Sequence, residues 1–339
     1  PGVVIGRKGS LGGVYYSESD FWPHDTTLWV KDFKGNDPLF TYYFLKTLGL
    51  ERFDVGAANP TLNRNHLHLL PISAPSVATQ HKIAVVLAAY DELIKSNLRR
   101  IEILEEMAQA VYREWFVNFR IPGYEDVALV DSPLGPIPRG WELGTLEAIV
   151  ENVRASTKAG PHLDELPYVP IDCIRARSFT LRESKRGAEA KSSLILFKES
   201  DILFGAMRPY FHKVAIAPGE GVTRTTCFVL RPRMRTWRSF ALLTMFRDET
   251  IAYATNHSRG TTIPYASWDG SLAAMTICTP TDGLLERFDT EVTPMLELAR
   301  NLARQNANLQ ATRDLLLPRL VSGEIDVLGL DIDTEWLAS

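Results

Sequence analysis

Apolar residues recur at alternating steps of four and three in two long stretches of the chain. Ile83, Leu87, Tyr90, Ile94, Asn97, Ile101, Leu104, Ala108, Val111 and Trp115 form the first series. Phe288, Val292, Met295, Ala299, Leu302, Asn306, Leu309, Arg313, Leu316 and Leu320 fill the same ten slots 205 residues later. This spacing is the seam of a coiled-coil helix, so two long helices are expected, each the partner of the other. Asn97 is fifth in its series and Asn306 sixth, so antiparallel pairing sets them in one layer, where two amides satisfy each other and fix register. Arg313 fits the seam least well and reads as a fraying end; Tyr90 and Trp115 read as packing.

Shorter patterns fill the rest. Val3-Val4-Ile5 and Val14-Tyr15-Tyr16 read as strands of a hairpin with a glycine-rich basic tip, Gly6 to Gly13. An amphipathic helix is expected over Leu39 to Leu48 and a short strand over Leu67 to Ile72, before Pro75. Pro133, Pro136, Pro138 and Gly140 form a linker that no helix continues through. Beyond Trp141, strands are expected at Tyr168 to Ile171, Ile202 to Phe204, Val214 to Ala217, Cys227 to Leu230 and Met275 to Cys278. The order repeats: Gly6 answers Gly205, Gly56 answers Gly260 and Pro75 answers Pro280, at offsets of 199, 204 and 205.

The fold expected is therefore α/β of the α+β kind: two similar globular domains separated by two long helices in an antiparallel coiled coil, with pseudo-twofold symmetry. Its parts are an incomplete first domain (1–75), a central long helix (76–120), a linker (121–140), a second domain (141–280), a distal long helix (281–325) and an acidic tail (326–339). The second copy starts near Trp141, so the first is expected to start about 60 residues before Pro1 (141 − 205).

At 339 residues and 45% hydrophobic content, the chain has enough apolar side chains for a core in each copy. No apolar run is long enough to span a membrane, and no signal peptide is visible. Cys173, Cys227 and Cys278 lack CxxC spacing, which points away from a disulfide framework or zinc site and towards a cytoplasmic protein. A net charge of −4 argues against nucleic acid until it is divided. Residues 151–260 hold 18 Lys and Arg against 11 Asp and Glu, whereas 261–339 hold 5 against 12. The second domain is basic.

Its basic residues fall on expected loops. Arg208, Tyr210 and Lys213 lie at a hairpin tip equivalent to Arg7 and Lys8 in the first copy, where Ser10 is a further candidate for DNA contact. Arg224, Thr225, Arg259, Thr261 and Thr262 add side chains that bind phosphate or read base edges. Arg231, Arg233, Arg235 and Arg238 form a run better suited to a solvated connection or to phosphates. Helices of about 33 residues are ~50 Å long, against roughly 34–36 Å per turn of DNA, so they are long enough to hold two reading heads over neighbouring grooves.

Other chemistry is weaker. Gly12-Gly13-Val14 lacks the Gly-Lys-Ser/Thr ending of a phosphate loop. Asn59-Pro60-Thr61-Leu62 lacks the second proline and aromatic of an adenine methyltransferase loop. His66 and His68 have no further metal ligands at suitable spacing. Asp172, Glu183 and Lys185 imitate the core of a magnesium-dependent nuclease, a second function class. A noncatalytic coiled-coil scaffold is a third, and it leaves the basic domain unexplained.

Three stretches carry a family resemblance. Pro75-Ser76-Val77-Ala78-Thr79-Gln80-His81-Lys82-Ile83-Ala84 resembles the start of the central conserved region of type I restriction-modification specificity subunits. Leu317-Pro318-Arg319-Leu320-Val321-Ser322-Gly323-Glu324-Ile325 is similar to the end of their distal conserved helix, and Pro138-Arg139-Gly140-Trp141 to the opening of their target recognition domains. The resemblance implies a noncatalytic, cytoplasmic subunit whose two recognition domains read the halves of a split sequence in double-stranded DNA. It implies partners: methyltransferase subunits, expected to be two, that carry S-adenosylmethionine, and a restriction motor subunit that uses ATP and magnesium. No cofactor or metal is expected in this chain.

Overall fold

The computed structural model describes residues 1–8, 11–53, 61–123 and 128–333, and its contacts divide into two compact units, 1–96 with 306–339, and 97–305. Both long helices are present, at Val77–Phe116 and Asp282–Val321. Among the described residues, no helix is long and apolar enough to cross a membrane.

In the first unit, strand Gly2–Gly6 is central in an antiparallel sheet, between Val14–Ser17 and Thr27–Trp29, with Ile5 opposite Val14. Helix Pro38–Lys46 starts where Asp37 caps the Phe40 amide at 2.7 Å and Pro38 presets the first turn. It buries Phe40 and Tyr43 against Ile83, Ala84 and Leu87 of the first long helix and Leu317 and Leu320 of the second. The pairing of 83–87 with 317–320 is antiparallel. Buried Gln80 ties the first long helix down: its amide donates to Asn36 Oδ1 and the Pro75 carbonyl, and its oxygen accepts from the Asp37 amide. Two expectations are corrected here. Arg313 is no fraying end, because it pairs with Asp91, which also accepts from Tyr43 Oη at 2.6 Å. Leu67 to Ile72 forms no strand: Asn63 caps a short helix, Arg64–Leu67, and irregular chain follows.

The second unit contains a four-stranded antiparallel sheet in the order Val214–Ile216, Ile202–Gly205, Cys227–Pro232, Val150–Val153. Its first three strands keep the order seen in the first unit, with Phe204 opposite Val214. Helix Arg238–Phe246 follows as Pro38–Lys46 does in the first unit, both nine residues long. Phe240 packs against Tyr112 and Phe116 of the first long helix, and Phe288 of the second stands 4.7 Å from Phe116, ring to ring. Ile101 meets Ala299, Leu302 and Ala303, again antiparallel. Aromatics bury large areas and prefer these tilted contacts, so this cluster anchors the unit. A second sheet runs Lys185–Arg186, Pro167–Tyr168, Gly221–Arg224, Leu194–Phe197, Ser156–Thr157. The strand expected over Tyr168 to Ile171 is shorter, because Pro170 starts a turn of 3-10 helix at Ile171–Cys173.

Asn97 and Asn306 are both buried, and the Asn306 side chain donates to the Ile94 carbonyl at 3.1 Å. A helix carbonyl with a spare lone pair thus takes part of the amide that an apolar seam leaves to be satisfied.

Candidate nucleic-acid interface

Three loops of the second unit meet at one edge. The hairpin after Ile202–Gly205 sends the Ala206 amide to the Thr226 carbonyl at 2.9 Å and the Arg208 amide to the Pro264 carbonyl at 2.8 Å. Arg259 and Tyr265 exchange two backbone bonds, of 2.9 and 2.8 Å, and the Ala266 amide returns to the Ala206 carbonyl. Tyr265 Oη donates to the Thr225 carbonyl, which joins the third loop. Burial pushes the Tyr265 phenol up to about 12, with the Cys227 thiol adding to it, so it stays protonated as that donor. Gly260 turns the loop at φ +90, and a Cβ there would stand 2.9 Å from the Ile263 carbonyl.

The structure therefore gathers Arg208, Tyr210, Arg224, Thr225, Arg259, Thr261 and Thr262 on adjoining loops, although they span more than fifty residues of sequence. Arg224, Thr225, Arg259, Thr261 and Thr262 are exposed. Arg208 and His212, both left-handed, bracket the turn Pro209–Phe211, a conformation that costs a non-glycine residue of order 1–3 kcal/mol and is held by the bonds around it. The Arg208 Nε is buried with no hydrogen-bond partner among the described residues. Tyr210 and Phe211 expose their rings, 4.8 Å apart. His212 is structural: burial pulls its pKa down, and its Nε2 donates to the Phe246 carbonyl at 2.8 Å.

Not every expected contact sits here. Lys213 spends its ammonium on the Ile171 carbonyl at 2.8 Å. Of the arginine run, Arg231 makes a two-bond pair with Asp201, Arg233 donates to the Glu147 carbonyl and Arg238 to Thr293. In the first unit, the Leu62 amide bonds the Arg7 carbonyl as Ala266 bonds Ala206, and Lys8 bridges Thr61 as Met207 bridges Tyr265. Arg7 and Lys8 are thus equivalent to Ala206 and Met207, one step ahead of Arg208. Lys8 stands 4.0 Å from Asp25. Ser10 and the Gly56 loop lie outside the described residues. Tyr265 was missed by sequence reasoning; one tyrosine after Ile263-Pro264 carries no signal that it will fasten a loop forty residues away.

Asp172, Glu183 and Lys185 are all exposed, and the described residues hold no group of three or more His, Cys, Asp or Glu placed to bind a metal. His66 and His68 belong to no such group either.

Residues 2–106 match the family of the type I restriction modification DNA specificity domain. The type I restriction enzyme MjaIX specificity subunit of Methanocaldococcus jannaschii is 27% identical over 308 residues, covering 85% of this chain and 69% of its own. The HindI specificity subunit of Haemophilus influenzae is 20% identical over 329 residues, covering 78% and 71%. The crystal structure of a type I restriction-modification S subunit from M. genitalium shares the fold, with a TM-score of 0.56 over 94% of this chain and 82% of that one, at 15% identity. The sequence likeness and the shared fold point the same way: this chain is similar to type I restriction-modification specificity subunits, and its residues 2–106 match their DNA specificity domain.

Proposed function

We propose that this chain reads the DNA target of a type I restriction-modification complex and itself performs no chemical step. The stitched edge carries the reading: arginines and hydroxyls of three loops, backed by a sheet and fastened through Tyr265, present donors that suit guanine edges and phosphates. Each recognition domain reads one half of a split sequence. The long helices pair as an antiparallel coil, with Asn97 and Asn306 setting register, and offer docking surfaces to the methyltransferase subunits. S-adenosylmethionine resides on those subunits, ATP and magnesium on the restriction motor subunit, and the complex works in the cytoplasm.

The test is a single-molecule methylation map of DNA from cells that coexpress this chain with its neighbouring methyltransferase subunit. A split adenine-methylated motif with a fixed gap is expected, and exchanging residues 141–280 for those of a relative is expected to change one half of it. An assembled complex that leaves no methylated motif refutes the proposal.

A further inference from the structure

We propose that Lys185, Lys191 and Arg224 line a clamp for the sugar-phosphate backbone of DNA beside the reading loops, an inference that rests on the DNA-reading function above. These residues, with Tyr168, Glu189 and Ser192, enclose a cleft of about 330 Å³. Sheet pairing assembles it. Tyr168 lies opposite Lys185 on one side and Val222 on the other, which draws Lys185 towards Arg224. Leu194 lies opposite Arg224, so Lys191, three residues earlier, reaches the same corner.

The charge of the cleft is left unbalanced. Its one carboxylate, Glu189, accepts from the Arg186 amide at 3.0 Å. Lys185, Lys191 and Arg224 form no ion pair among the described residues, whereas Arg231, Arg154, Arg177 and Arg247 of the same unit each meet an aspartate or glutamate. Asp172 and Glu183 lie outside the cleft lining. Three like charges around one concavity repel, and an anion seated there relieves the repulsion. Two of the three are lysines, which act as point charges without a rigid fork, so the clamp holds phosphates rather than reading bases. Arg224 is followed directly by Thr225, the residue that holds Tyr265, so a strand seated in the cleft continues onto the reading edge. Ser192 adds a hydroxyl for a phosphate oxygen.

The test measures binding of the full chain to a fluorescein-labelled 30-base-pair duplex of arbitrary sequence over a potassium chloride series, by anisotropy. Lys185→Ala/Lys191→Ala is expected to lower the slope of log affinity against log salt by about two, since each phosphate contact contributes about 0.9. It is also expected to weaken arbitrary and target duplexes by the same factor. Lys198→Ala, beyond Phe197 at the far end of the same strand from Arg224, is expected to leave the slope unchanged. Both replaced lysines are exposed, and an unchanged thermal melt verifies folding. A wild-type slope in the double variant overturns the clamp, as does a loss confined to one sequence. A wild-type chain that binds no duplex overturns the function proposed above, and the clamp with it.

Discussion

Replacing Glu105 by alanine is expected to destabilise residues 97–305 by about 3 kcal/mol. Glu105 lies on the first long helix with its side chain 4% exposed, and its Oε1 accepts from Ser178 Oγ at 2.9 Å and from the Thr180 amide at 2.7 Å. The segment it holds also bonds the hairpin sheet, through the Ile216 amide and Phe179 carbonyl at 2.9 Å. Alanine leaves a buried hydroxyl and a buried amide unsatisfied, about 1–3 kcal/mol each. Half-buried Arg182 loses its nearby carboxylate as well. Relief of the cost of burying a carboxylate offsets part of this, giving about 3 kcal/mol net and a melting temperature lower by about 6–12 °C for a unit of this size. Glutamine keeps an acceptor in place and is expected to cost less than about 1 kcal/mol.

The pH dependence is a second arm of the same test. Burial holds the Glu105 carboxyl above the usual glutamate value of 4.5, against the hydrogen bonds from Thr180 and Ser178 and the Arg182 charge. A raised folded value means that the contribution is fully present below the unfolded value and is lost as pH rises through the folded one. Wild type is therefore expected to gain stability relative to Glu105→Gln as pH falls from neutral towards 4.5. Thermal melts of wild type, Glu105→Ala and Glu105→Gln at pH 7.5 and 5 measure both arms. Glutamine as damaging as alanine, or a wild-type advantage identical at both pH values, refutes the reasoning.

Tyr265→Phe removes one hydrogen bond and is expected to leave the fold intact while weakening target binding by roughly 1 kcal/mol, about fivefold, in a DNA titration; unchanged affinity makes the tie to Thr225 irrelevant to recognition. Asp91→Ala leaves Arg313 and the Tyr43 hydroxyl without their shared carboxylate and is expected to cost about 3 kcal/mol in the urea unfolding of residues 1–96 with 306–339, with Asp91→Asn intermediate. Arg259→Ala is expected to relax one position of one half-site by about 1–3 kcal/mol on a panel of single-base target variants. Equal loss on every variant assigns Arg259 to a phosphate instead.

The long helices were legible because a four-three spacing has one structural solution, and each buried seam position is set by its own residue and its neighbours three and four away. The antiparallel sense is visible where Ile83 and Leu87 meet Leu317 and Leu320, and where Ile101 meets Leu302. The hairpins at Gly6 and Gly205 were legible for a similar reason, since a glycine between two short runs of β-branched, aromatic and other apolar residues is a local signal. Leu67 to Ile72 misled because an apolar run that short fits helix end, strand or irregular chain alike; the Asn63 cap decided it. Arg313 misled because a seam pattern counts polarity but not partners, and Asp91 is 222 residues away.

The sequence by itself determined the two long helices, the hairpins at Gly6 and Gly205, their recurrence, and which loops carry arginine and threonine, because these depend on residues within a few positions of one another. Only the tertiary structure decided which basic residues are available. Arg231, Lys213 and Arg313 are consumed by Asp201, the Ile171 carbonyl and Asp91, while Lys185, Lys191 and Arg224 carry no ion pair among the described residues. A cation is free or spent according to the acceptors within about 4 Å of it, and sheet register and chain crossings bring those acceptors from distant sequence.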